Sequence, residues 1–331
     1  MTLLIKNSIR SRAINSLAAG RAFAIYRLPG KAPRYIDTCD DEIRVSVTPW
    51  LGLYADSYVI GQGAPAAVEA SIPYATRKAT YISRLEKLIS ELRRRGIAKT
   101  VISRVITGKN PSLDILGAAE RLWTALPDSM GYLFYIPGMN VWLGATPEKL
   151  LTITPPDLFA TEALAGTLPA GSPWNVKNYE EQTMVASFIE DVLVTAGYKF
   201  NEIGPKTVKY GNIQHLCTAF TGHIPDAADK AGHLRDVLAP TPALSGLPRE
   251  LALRDIAHIE SHERLCYGGY ITVKHGDAEA SYVTIRCAQY DPSSGRWAIY
   301  AGGGITPKSV PESEWRETEA KASLLLSVLS N

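Results

Sequence analysis

Hydrophobic positions along the chain follow two periods. Between Thr76 and Arg95, "TRKATYISRLEKLISELRRR" puts Ile82, Leu85, Leu88, Ile89 and Leu92 on one helical face, and Gly96 supplies a stop. "KTVISRVI", starting at Lys99, is β-branched and alternating, which predicts a strand. The same reading predicts helices over 112–126, 177–196, 231–238, 248–262 and 311–329. Strands are expected at "AFAIYRLP", "EIRVSVTP" and "SYVIGQ" before the first of these helices. Further strands are expected at "GYLFYIP", "VWLGAT" and "KLLTIT", around "NIQHLCTAFTG", and at "YGGYITVKH", "SYVTIRCAQY" and "RWAIYAGG". Successive strands on short turns imply antiparallel sheet. Long helices between strand pairs make the class α+β and exclude a regular βαβ Rossmann alternation. No repeat, low-complexity tract or linker interrupts the pattern, so a single domain is expected over 1–331.

Composition adds exclusions. The net charge of +2 gives no general field for nucleic acid, and no apolar run approaches the ~20 residues of a membrane span. Cys39, Cys217, Cys266 and Cys287 are scattered with no C-x-x-C pair, which reads as reduced, mostly buried thiols in a cytoplasmic protein. The first acidic residue is Asp37, and seven basic residues precede it. Such a start occurs in transit peptides, but a strand beginning by Ala22 leaves little to discard, so an ordinary basic first segment is expected.

Candidate chemistry begins with "YAGGGITPKSVPESEWRETEAK", Tyr300 to Lys321. A glycine turn before a helix often holds phosphate. Here Glu312, Glu314 and Glu317 would repel it, and no G-K-[ST] follows. Glu314, Glu317 and Lys321 share one helical face; a solvated Glu/Lys face is the commonest fate of such residues. In "VKNYEEQTMVASFIEDVL", Glu180 and Glu181 fall in the first turn of a predicted helix, where the helix dipole favours carboxylates. Alternatively, Glu181 meets Glu317 across a cleft and the pair holds Mg²⁺, its octahedron completed by a substrate oxygen. Glu148 in "GATPEKLL" sits between two strands, either as an inert loop residue or as a carboxyl of raised pKa able to donate a proton. Lys99 is an exposed strand-end lysine or, if buried, a base. Arg286 in "VTIRCAQ", Gly166 and Thr167 in "ALAGT", and Gly302 to Gly304 offer donors for a carboxylate.

In series, "KTVISR", "GATPEKLL", "ALAGT", "KNYEEQ..V", "IQHL", "PTPALSG", "YGGYI", "VTIRCAQ", "AGGGI" and "EWRETEAK" resemble the chorismate-utilising enzymes. That superfamily includes anthranilate synthase component I, aminodeoxychorismate synthase component I, isochorismate synthase and salicylate synthase. The resemblance runs from Lys99 to the C-terminus, a motif-bearing part over 99–331, and residues 1–98 match only in general character. It implies two large stacked antiparallel sheets with helices outside, and a cleft for chorismate and Mg²⁺. By motif position, Glu181 and Glu317 look like metal ligands, with Glu314 nearby through water. Arg286, Lys321 and the amides around Gly302 and Gly303 look like carboxylate-binding groups, and Gly166, Thr167 and Ala243 line the cleft. His215 falls where the family has an active-site histidine; a buried structural histidine is the alternative. The chain departs from the family's Glu-His pair with Glu181-Gln182.

The resemblance also discriminates among members. Ammonia-using members carry Gln where this chain has Lys99, and aminodeoxychorismate synthases carry a lysine where this chain has Ala165. Lys99 as base and Glu148 as acid fit addition of water at C2 with loss of the C4 hydroxyl, the isochorismate synthase reaction, feeding menaquinone or siderophore synthesis. Salicylate synthase shares the lysine and is the nearest alternative, but "PTPALSG", with Ala243 and Leu244, looks more like isochorismate synthases. A monomer without an amidotransferase subunit is expected.

Overall fold

The computed structural model describes residues 4–39, 42–50, 57–63, 69–210, 213–224 and 227–330. Two eight-stranded antiparallel sheets carry the chain. The first runs, edge to edge, β12 (Gly246–Leu247), β5 (Lys99–Lys109), β16 (Arg296–Ile305), β15 (Cys287–Asp291), β7 (Asn140–Thr146), β6 (Met130–Ile136), β1 (Phe23–Arg27) and β2 (Arg34–Ile36). The second runs β10 (Phe200–Tyr210), β11 (Ile213–His223), β9 (Leu158–Pro169), β8 (Lys149–Thr154), β14 (Ala278–Val283), β13 (Tyr270–His275), β3 (Ile43–Thr48) and β4 (Tyr58–Val59).

Side-chain alternation explains the stacking. In β1, Ala24 and Tyr26 point between the sheets, where they join Phe134 and Trp142 and face Val45, Val47, Ile271 and Val273 of the second sheet. Phe23 and Ile25 point the other way, under the helices α1 (Asn7–Ala18), α3 (Ile115–Ala125) and α7 (Pro311–Leu329). Both faces of β1 are therefore buried. The outer face of the second sheet, with Phe159, Ala163 and Phe220, packs against Val185, Ile189 and Leu193 of α4 (Val176–Thr195) and Leu234 and Leu238 of α5 (Ala227–Leu238). α2 (Lys78–Arg95) lays Leu85, Leu88 and Leu92 beside Ile102, Trp315 and Ile256 of α6 (Arg249–Ile259). Gly96 ends α2 at φ 66, its N–H on the Leu92 carbonyl, as the sequence predicts.

The basic segment before Ala22, to which the sequence pattern assigns no element, is a helix: α1 buries Ala13 and Ser16, and Arg10 pairs with Asp114 and Glu120. Three expectations are corrected. "SYVTIRCAQY" is two strands in different sheets, because Arg286 adopts φ 49 and turns the chain from β14 into β15. α6 stops at Ile259, where Glu260 takes extended backbone, instead of reaching His262. α4 begins at Val176 with an Asn175–Asn178 capping box, so Glu181 lies beyond the first turn and the dipole argument does not apply to it.

Candidate active site

The turn at Arg286 decides where the site forms. β15 pairs with β16 only as far as Tyr300, opposite Cys287. Beyond it, no strand among the described residues covers Ala301–Gly304 on that side. On the other side, β5 pairs with β16 through Ile305. The Ser103 N–H and the Val101 N–H both donate away from β16, to Glu260 and to the Ser245 carbonyl. Their partners Gly302 and Gly304 therefore sit in non-hydrogen-bonded pairs, with their own N–H and C=O aimed at the open edge. Lys321 Nζ donates to the Gly302 carbonyl at 2.9 Å. Gly303, expected as an amide donor, is turned into the ladder; the outward amides are those of Gly302 and Gly304.

A cavity of about 230 Å³ opens at this edge. It brings together Lys99, Glu148, Gly166, Thr167, Glu181, His215, Ala243, Arg286, Gly302, Gly303, Glu317 and Lys321, all singled out in the sequence. Glu314 alone is off the wall, buried behind Gly303 at 2% exposure. A Cβ on Gly303 would lie 3.4 Å from Glu314 Oε2 and 3.6 Å from Glu317 Oε1; one on Gly304 would run into Lys99 Cε and lie 3.0 Å from Glu181 Oε1. The three carboxylates thus approach one stretch of bare backbone from its two faces.

Each carboxylate has a lysine. Lys99 Nζ donates to Glu181 Oε1 at 2.7 Å, Lys321 Nζ lies 2.6 Å from Glu317 Oε1, and Lys177 Nζ lies 3.4 Å from Glu314 Oε1. Among the described residues, no three His, Cys, Asp or Glu side chains stand together as a metal cage. The oxygen donors present suit a hard cation: Glu181 and Glu317 are on the cavity wall, with Glu314 behind Gly303. Lys177 was not singled out in the sequence; the only signal was its place in the "KNYEEQ" block.

Electrostatics separates Glu148 from Glu181. Burial pushes the Glu148 carboxyl up to about 7, against the pull of Lys99, Lys321 and Arg286. At Glu181, burial acts upward, but Lys99, Lys321 and Lys177 outweigh it and hold the carboxyl below its ordinary value. Burial lowers the Arg286 guanidinium, which has no hydrogen-bond or ion-pair partner among the described residues. His215 is driven down to about 3 by burial and the nearby cations Arg286 and Lys321, so its ring is neutral. Its Nδ1 meets Thr167 Oγ1 at 3.2 Å, and its buried Nε2 has no partner. An unpartnered polar atom on a cavity wall favours a ligand role over a structural one.

Gln182 shows how the chain accommodates its departure from Glu-His. Its Oε1 accepts from the Ala165 N–H at 3.0 Å, and its Nε2 donates to the Ala163 carbonyl and Thr218 Oγ1. It ties α4 to β9 one residue from Glu181. On the far wall, Tyr267 and Tyr300 stack at 5.8 Å, and Tyr300 stacks on fully buried Trp142 at 5.3 Å.

Residues 62–330 match the chorismate binding enzyme family. The chain belongs to that family. Within it, isochorismate synthase EntC of Escherichia coli strain K12 is 32% identical over 249 residues, 70% of this chain and 62% of that protein. The matched stretch thus spans less than two thirds of that relative's length. MenF, the menaquinone-specific isochorismate synthase from Escherichia coli, superposes with a TM-score of 0.77 at 18% identity, over 93% of this chain and 88% of that one. Anthranilate synthase component I from Streptococcus pneumoniae TIGR4 superposes with a TM-score of 0.68 at 15% identity, over 92% and 90%. At these identities the likeness is one of fold, and it agrees with the stacked sheets that the motifs imply.

Proposed function

We propose that the chain is an isochorismate synthase, isomerising chorismate to isochorismate. The observation that carries this is a buried lysine and a carboxyl raised to about 7 in one cavity, with a lone guanidinium beside them. In the reaction, a water oxygen bonds to C2, the ring double bonds shift, and the C4–O bond breaks. Lys99 takes the proton from the attacking water. Glu148, protonated in part at neutral pH, gives its proton to the departing C4 hydroxyl, so one water enters and one leaves. Base catalysis needs a neutral amine, so the Lys99–Glu181 contact must loosen in the substrate complex. Arg286, Lys321 and the outward amides of Gly302 and Gly304 hold the substrate's carboxylates. Glu181 and Glu317, with Glu314 behind them, would hold Mg²⁺, which when bound offsets the charge of the ring carboxylate.

Lys99 where ammonia-using relatives carry Gln favours water as the nucleophile. The test is incubation with chorismate and Mg²⁺, with products separated by chromatography. Isochorismate is expected. Salicylate with pyruvate as main products, or an aminated product on adding ammonia, would replace the reading.

A further inference from the structure

Behind the cavity lies a buried polar cluster that the chemistry above does not use. Glu260, just past α6, and Arg264 are 3% and 1% exposed at their side chains and form a two-point ion pair: Arg264 Nε to Glu260 Oε2 at 2.9 Å and Arg264 Nη2 to Glu260 Oε1 at 2.7 Å. Arg264 also stacks over Trp50, 4.3 Å from its ring centre. A buried ion pair seldom stabilises more than an apolar pair of the same volume, so its presence calls for another explanation.

Its remaining hydrogen bonds supply one. β12 covers the outer edge of β5 only at Lys99 and Thr100. Further along, the Val101 carbonyl accepts from Arg264 Nη2 at 2.8 Å, and the Ser103 N–H donates to Glu260 Oε1 at 2.6 Å. The Ser103 hydroxyl donates to the same oxygen and meets His262 Nε2 at 2.9 Å. The ion pair stands where a neighbouring strand would otherwise be. Arg264 Nη1 donates to the Leu244 carbonyl at 2.9 Å. Leu244 and Ala243 belong to the loop that lines the cavity, and Lys99, Val101 and Ser103 project from one face of β5. One guanidinium therefore joins the strand that carries the base to the loop at the cavity wall. Ser103, His262 and Glu260 are not a nucleophile relay, because the same ring nitrogen of His262 approaches both Ser103 and Glu260.

We infer that Arg264 and Glu260 are positioning residues for the reaction: their ion pair sets the register between the β5 segment bearing Lys99 and the loop 241–245. The catalytic part of this inference rests on the isochorismate synthase reading; its geometric part does not. Arg264→Lys keeps the charge but cannot reach two carboxylate oxygens and two carbonyls at once. Glu260→Gln keeps the shape and one acceptor. In folded protein, both variants are expected to lower kcat by about tenfold or more while KM moves by less than about threefold. Arg264→Lys should retain more activity than Arg264→Met. Without ligand, hydrogen exchange at the Val101 and Ser103 amides should quicken in the variants while that of α7 stays as in the wild type. A kcat within about twofold of wild type, a loss that only tracks the folded fraction, or unchanged exchange along β5 would overturn the inference. If the wild type forms no isochorismate, the exchange measurement still decides the geometric claim.

Discussion

At the residue scale, burial moves Glu148, His215 and Arg286 of the site away from their ordinary values. Glu148 is the clearest case. Its carboxyl is raised from 4.5 to about 7, so the proton needed by the leaving hydroxyl is present below that value and lost above it. The turnover rate should therefore fall as pH rises through about 7, and Glu148→Gln should lower kcat by about 10²-fold or more and remove that limb. Stability follows the same sign. The folded state holds this proton more tightly than the unfolded chain, so its contribution is full below about 4.5 and is lost as pH rises through about 7. Glu148→Gln should accordingly raise Tm relative to wild type more above about pH 8 than near pH 4, as calorimetry at the two values would show. Lys99→Ala should lower kcat by a factor of similar order, about 10².

At the element scale, the glycine strand and the helix facing it set the geometry. A Cβ at Gly304 meets Lys99 and Glu181, whereas one at Gly303 makes only ordinary contacts with Glu314 and Glu317. Gly304→Ala should cost about 10²-fold in kcat/KM, and Gly303→Ala clearly less. Equal losses in steady-state kinetics would contradict the placement of the two faces. Gln182→Ala leaves the Ala165 N–H, the Ala163 carbonyl and the Thr218 hydroxyl without their partner, and should destabilise by about 2–3 kcal/mol in denaturant titration. Periodicity revealed α2 and the strand at Lys99, because their patterns are strong and local. It missed α1, whose buried face is only Ala13 and Ser16, and β9, whose small residues around Gly166 do not read as strand. It could not see that Arg286 would take positive φ and split a strand, since that conformation is imposed by tertiary structure. The motif order singled out twelve residues that line the cavity, yet two of the three Lys–Glu pairs were not legible: Lys99 and Glu181 are 82 positions apart, and Lys177 and Glu314 are 137 apart.

At the scale of the whole molecule, both sheets take strands from the first sixty residues and from the C-terminal half: β1 and β2 in one, β3 and β4 in the other. Neither sheet can be completed without the other's connecting segments. Thermal unfolding followed by far-UV and near-UV circular dichroism should therefore give coincident transitions, and separated midpoints would show two units. No helix of the described residues is long and apolar enough to cross a membrane.

The aromatic column of Trp142, Tyr300 and Tyr267 has an optical consequence. Its two tyrosines form part of the cavity wall, and its indole is sealed in the core behind them. A molecule entering the cavity changes the field around a ring stack whose last member is fluorescent. The protein thus carries its own occupancy gauge, readable without product formation. Emission should shift on adding chorismate, and the shift should vanish in Trp142→Phe while the other five tryptophans remain.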